Sequence, residues 1–174
     1  LIKDDFKKNI RVSIKTLKAE EQDIQKKAKA LAAKLNGKLP IIYAASNFEG
    51  VAVRFRQQLN ENSKMLAWHN VIPEMNHNEL VGWRDKDDDK VVVLLRNDDD
   101  YYRIQTRMEI NKKIIKKYTP NIIEINSKGK SYWEKVFYII HLTDWVSLLL
   151  ADLRHQDAME IKVIDYLKGS LAKV

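Results

Sequence analysis

Leu39-Pro40-Ile41-Ile42-Tyr43-Ala44-Ala45, followed at once by Ser46-Asn47-Phe48-Glu49, decides the fold class of this chain. The first stretch is apolar throughout, so it reads as a strand buried on both faces. Strands of that kind belong to parallel sheets covered by helices. The second stretch has capping-box spacing, Ser46 to Glu49, and predicts a helix that runs through Arg54 and Gln58 to about Asn62.

The pattern repeats on both sides of this unit. Upstream, Ile24, Ala28, Leu31, Ala32 and Leu35 recur at three- and four-residue spacing, which predicts an amphipathic helix over 19–36 closed by Gly37. The Lys-rich stretch before it reads as a further helix or a linker arm. Downstream come a short strand candidate at Met65 to Trp68, a helical turn near Asn76 to Trp83, and an acidic loop from Arg84 to Lys90. Val91-Val92-Val93-Leu94-Leu95 is the clearest strand. A helix with Ile104, Met108, Ile110, Ile114 and Ile115 inward follows and stops before Pro120. Asn121 to Ile125 is a fourth strand, and two helices, Tyr132 to about His155 and Met159 to Leu171, close the chain. Strands alternating with helices imply parallel pairing and right-handed crossovers, hence an α/β protein with a three-layer α/β/α sandwich and a mainly parallel sheet.

At 174 residues the chain has room for one full core, divided here into a basic lead-in segment, 1–38, and the domain proper, 39–174. It contains no cysteine, which removes disulfides, thiolate nucleophiles and Cys-ligated metals and fits a cytoplasmic protein. The apolar run from Tyr132 to Leu153 carries Glu134, Lys135, His141, Asp144 and Asp152, so it is expected to pack in a core rather than cross a membrane. The chain opens with Leu1 and is read as continuing a longer protein.

The net charge of +7 is concentrated at one end. Residues 1–39 hold eleven Lys/Arg against five Asp/Glu, leaving the rest about neutral. A basic strip on one amphipathic segment reads as a solvated helix face. Neither base-stacking aromatics among basic residues nor any DNA-binding spacing is present, so nucleic acid is not an expected partner. The spacing of His69, Glu74, His77 and Glu79 fits no metal template, and no cofactor is expected.

Two segments carry candidate chemistry: Asn60-Glu61-Asn62-Ser63-Lys64 and Pro73-Glu74-Met75-Asn76-His77-Asn78-Glu79. They bring a carboxylate and an imidazole, the groups that proton transfer needs, into one short region between two elements. The competing reading is a helix end and a turn in which the amides cap backbone. These residues resemble the NENxK and PExNHNE signatures of the bifunctional phosphoglucose/phosphomannose isomerases, in their C-terminal half. The likeness extends to Arg54, Arg107, Asp144-Trp145-Val146-Ser147 and Ile164-Asp165-Tyr166-Leu167-Lys168, in the same order and spacing from about residue 39 onward.

The resemblance implies a sugar isomerase (SIS) fold and a metal-free aldose–ketose isomerase acting on glucose 6-phosphate and fructose 6-phosphate, with mannose 6-phosphate as an open second aldose. It implies that Glu61 is the base that moves a proton between C2 and C1 through a cis-enediol. His77 would assist ring opening, and Lys168 would donate to the ring oxygen or the enediolate. Arg54 takes the place of the family's arginine as a substrate-binding residue. Ser46 and Asn47, at a strand-to-helix turn, are candidates for holding an anion through backbone donors. Their turn is poorer in glycine than the family's. Family members pair this domain with a first one that carries Ser/Thr-rich phosphate loops. They are homodimers in which each site takes its histidine from the partner subunit, so Glu61 and His77 of one chain are expected to lie beyond hydrogen-bond reach. His69, His141 and His155 match no functional position. The alternative is a non-catalytic sugar-phosphate-binding or regulatory domain that kept the fold.

Overall fold

The computed structural model describes residues 5–174. Its elements in chain order are α1 (Phe6–Leu35), β1 (Leu39–Ala45), α2 (Glu49–Glu61), β2 (Trp68–Ile72), β3 (Lys90–Arg96), α3 (Tyr102–Ile115), β4 (Ile122–Asn126), α4 (Tyr132–Leu153) and α5 (Lys162–Leu171). Short 3-10 turns lie at Ser46–Phe48, Glu74–Asn76 and Glu79–Gly82.

The four strands form one sheet in the order β2-β1-β3-β4, parallel throughout. Alternation along β1 and β3 sends Ile42, Ala44, Val91, Val93 and Leu95 to one face, where α1, α2 and α4 cover them. Ile41, Tyr43, Val92 and Leu94 point to the other face and meet Met108 and Ile115 of α3, with Met75 and Trp83 from the 3-10 turns. This is the expected three-layer sandwich. Because β1 and β3 are neighbours whose following helices lie on opposite faces, the chain has its topological switch point between their carboxyl ends.

The apolar runs of β1, β3 and β4 fall where the sequence puts them; β2 does not. Lys64 takes the left-handed conformation (φ 52°) and the Met65 amide bonds back to the Leu59 carbonyl at 3.4 Å, so 64–67 finish α2 and the strand starts at Trp68. The capping box expected at Ser46–Glu49 is also absent. The Ser46 hydroxyl donates instead to the Ile72 carbonyl at 3.1 Å, and α2 starts without a side-chain cap. A complete box appears at Ser131 and Glu134, at the start of α4.

Residues 1–4 of the basic segment lie outside the described residues; the rest of it is neither a separate helix nor an arm. It is the first half of α1, with Lys7, Arg11, Lys15 and Lys18 on its exposed side. The second half buries Ile24, Ala28, Ala32 and Leu35 in the same core as α4. On α3 the inward set is Ile104, Met108, Asn111 and Ile115, and Ile110 faces solvent. α4 is long and apolar enough to span a membrane by length and composition, yet Val136, Ile139, Leu142, Val146 and Leu150 are packed in the core. α5 differs from all of these. It buries no residue and leaves Val163, Tyr166 and Leu167 exposed.

Candidate active site

α2 is built in two stripes. Val51, Ala52, Phe55 and Leu59 are buried, while Arg54, Gln57, Gln58 and Glu61 follow at the three- and four-residue spacing of a single outer face. Arg54 and Glu61 therefore stand two turns, about 10 Å, apart along one wall of an open cleft of about 740 Å³. The opposite wall is the segment entering α5, including Glu160, Ile161 and Ile164. Lys168 sits one helical turn beyond Ile164 on the same side of α5. So three of the expected residues, Arg54, Glu61 and Lys168, lie on elements that border one cleft.

The Asn60 to Lys64 segment is mostly scaffold. Asn60 donates to the Met65 carbonyl (2.8 Å), Asn62 to the Ser147 hydroxyl (2.9 Å), and buried Ser63 to the Ser147 carbonyl (2.7 Å). The Lys64 ammonium donates to the Glu61 carbonyl (2.6 Å), where it offsets the negative end of the α2 dipole. The Glu61 carboxylate itself is exposed and, among the described residues, accepts no hydrogen bond. Four locked residues thus present one unengaged carboxylate. Arg54 is not idle in this arrangement: it forms a two-pronged ion pair with Asp144 of α4, at 2.7 and 3.2 Å, with Gln58 also bonded to Asp144 at 3.1 Å. The Asp144 to Ser147 stretch, quoted above for its resemblance alone, proves to be the brace of both Arg54 and the Glu61 turn.

The Pro73 to Glu79 segment has the same construction. Asn76 donates to Asn111 of α3 at 2.7 Å, Met75 is buried, and Asn78 donates to Glu74 at 2.9 Å. The Glu79 carboxylate gathers the Tyr43 hydroxyl (2.5 Å), the Trp68 indole (3.0 Å) and the Asn70 amide (2.8 Å). Burial, then the adjoining Glu79 carboxylate, push the Tyr43 phenol well above its ordinary range, so it stays a donor. His77 projects outward and exposed between the fixed Asn76 and Asn78, which bond elsewhere rather than to its ring.

The two segments are close in sequence and apart in space. α2 returns the chain to the amino-terminal edge of the sheet, leaving Glu61 there, and β2 then carries it across to the carboxyl edge, where His77 follows. Five strand residues span about 16 Å. The single short cluster suggested by the sequence is thus split, and no hydrogen bond joins Glu61 to His77 among the described residues.

Ser46 and Asn47 do sit at the switch point, but the structure gives them other work. Besides the Ser46 bond to β2, the Asn47 carbonyl accepts from the Tyr132 hydroxyl (2.7 Å) and its side chain bonds Asp100. Asp100 is nearly buried, and that burial raises its carboxyl pKa. Beside it Lys135, also buried, pairs with Asp98 and Asp99 at 2.5 Å each. Asp98, Asp99 and Asp100 thus lie in the loop beside this turn, and the Ser46 hydroxyl and the Asn47 side chain are engaged within the protein.

Residues 24–171 match the model of the bacterial phospho-glucose isomerase C-terminal SIS domain. The bifunctional phosphoglucose/phosphomannose isomerase of Aquifex aeolicus is 35% identical over 98% of this chain and 52% of its own length; that of Caldicellulosiruptor bescii is 40% identical over 90% and 48%. This chain therefore spans about half the length of the curated relatives it matches. A solved structure of a hypothetical protein from Thermus thermophilus, 13% identical, superposes over 95% of this chain and 48% of its own with a TM-score of 0.74, which shows a shared fold. By its matched length and these relatives, the chain belongs to the bacterial phospho-glucose isomerase C-terminal SIS domain family.

Proposed function

We propose that this domain supplies the base and part of the ring-opening machinery of a cytoplasmic aldose–ketose isomerase acting on hexose 6-phosphates. The substrates are glucose 6-phosphate and fructose 6-phosphate, with mannose 6-phosphate as the second aldose suggested by the relatives' names. The observation that carries the reading is the unengaged Glu61 carboxylate, held by a fully bonded turn in a cleft that also borders Arg54 and α5. A carboxylate suits the chemistry because its two oxygens reach C2 and C1 from one face, taking the proton from one carbon and returning it to the other through the cis-enediol. Lys168 donates to the ring oxygen or the developing enediolate. Arg54, braced by Asp144, offers a fixed cation to the substrate.

His77 completes the set from a second subunit. Its exposure, its rigid mounting and its place at the opposite edge of the sheet from Glu61 all favour a homodimer with shared sites. The phosphate end of the substrate is left to the other half of the full-length protein, because the switch point here is lined with aspartates.

The mechanism is tested by isomerising fructose 6-phosphate in D₂O with a full-length isomerase that carries this domain. Enediol chemistry places solvent deuterium at C2 of the glucose 6-phosphate formed, and Glu61→Gln abolishes its appearance along with turnover. Deuterium that still enters C2 at the unsubstituted rate in Glu61→Gln contradicts a proton-transfer route through Glu61.

A further inference from the structure

Lys64 has no part in the steps above, yet it joins the two walls of the cleft. Its ammonium donates to the carbonyls of Glu61 (2.6 Å), Glu160 (2.6 Å) and Ala158 (3.4 Å), which occupies all three N–H groups of a lysine. The first carbonyl ends α2; the other two belong to the segment that enters α5. A residue with a Cβ is disfavoured at φ 52°, and here that conformation turns the side chain back across the cleft floor. One residue earlier, the Ser63 carbonyl accepts from Arg154 at 2.9 Å, fastening the same turn to the end of α4. α5 needs such fastening. It is ten residues long and buries none of them, and a helix of that length and exposure is marginal by itself.

We propose that Lys64 is a positioning residue that clamps the entry of α5 to the end of α2 and so fixes α5, with Lys168 on it, relative to the cleft that Glu61 borders. The proposal rests on the reading of Glu61 and Lys168 as partners in one reaction. Lys64 acts through Lys168 and touches no reacting atom.

The clamp is tested first on this chain by amide hydrogen exchange. Lys64→Met keeps the stem and removes the donors, and should speed exchange over 157–171 by about tenfold or more while α2 and the sheet are unchanged. Lys64→Gly removes the left-handed strain together with the side chain and serves if the Met variant folds poorly. The chain has no cysteine, so Lys64→Cys provides its single thiol. Alkylation with 2-bromoethylamine, in which the thiolate displaces bromide, restores an ammonium at the original chain length and should restore slow exchange. Unchanged exchange in the Met and Gly variants, or no recovery after alkylation, overturns the clamp.

The second arm is a cycle of Lys64→Met and Lys168→Met in a full-length isomerase. If Lys64 works through Lys168, the double variant is no slower than Lys168→Met alone; losses that multiply overturn the positioning role. Full turnover by Lys168→Met would remove the reading of Lys168 and the positioning role with it, while the exchange result would still decide the clamp.

Discussion

In the segment Asn60 to Lys64, four side chains bond to α4, to the turn itself or to the entry of α5, and the fifth, Glu61, is left exposed over a cleft. In the segment Pro73 to Glu79, Asn76, Asn78 and Glu79 bond to α3, to Glu74 and to the first two strands, and His77 is left exposed away from the cleft that Glu61 borders. The construction is shared and the setting differs. Each segment devotes most of its residues to rigidity and offers one group. The first offers its group inward to a cleft, the second outward to whatever lies beyond the sheet edge. A motif of this kind is therefore informative as a whole, because its structural residues fix where the one reactive group is aimed.

The comparison breaks most sharply at its two free groups. Glu61→Gln in a full-length isomerase should lower kcat by about 10² to 10⁴ with little change in KM, and should shift the stability of this domain by less than about 0.5 kcal/mol, because no partner of the carboxylate is lost. Steady-state kinetics and a melting curve on the same protein read both halves of that statement. A large loss of stability with intact turnover would reverse the assignment of scaffold and reactive group.

Substitution of the scaffold residues should do the opposite. Glu79→Gln leaves three donors with a weaker acceptor and should cost about 2 kcal/mol, visible as a lower denaturant midpoint, with His77-dependent activity declining only as the loop loosens. Ser63→Ala removes one buried bond, and about 1 kcal/mol is expected from the same measurement. If either change left stability intact, the segment concerned would not be the rigid mount described above.

The smallest effect expected concerns pH. Burial holds the His69 imidazole below its ordinary value of 6.5, the Arg56 charge adds to this, and Glu49 partly opposes it. The fold keeps His69 neutral, so as pH falls below about 6.5 the unfolded chain binds the proton first and stability declines; above that pH the contribution is flat. His69→Gln should remove this part of the slope in melting curves between pH 7 and 5.

Much of this was legible in the residues, and what was not has a physical cause. β1 and β3 announce themselves because a strand covered on both faces has to be apolar throughout. β2 is an edge strand, half exposed, and His69 and Asn70 dilute its pattern, so its apolar neighbours Met65 and Leu66 mislead. The Ser46 box fails because a carbonyl on β2, distant in sequence, competes successfully with the local backbone amide. Ile110 is aliphatic, yet the inward period of α3 falls on Asn111, whose amide is needed by Asn76. For the site, Glu61, Arg54 and Lys168 are recognisable as types, while the separation of Glu61 from His77 is implied by the family resemblance and not by the spacing, since sixteen residues of chain can close on themselves or cross a sheet. The aspartates beside the Ser46–Asn47 turn come from a different loop and give no local sign.

The central claim is that Glu61 and His77 serve one reaction from different chains. Full-length Glu61→Gln and His77→Ala proteins, each nearly inactive, are mixed in equal amounts under conditions of demonstrated subunit exchange. Half of the dimers are then hybrids, each with one site holding both native groups, and the mixture should recover about a quarter of the unsubstituted activity. A mixture that stays as inactive as its parents after exchange would contradict the shared site.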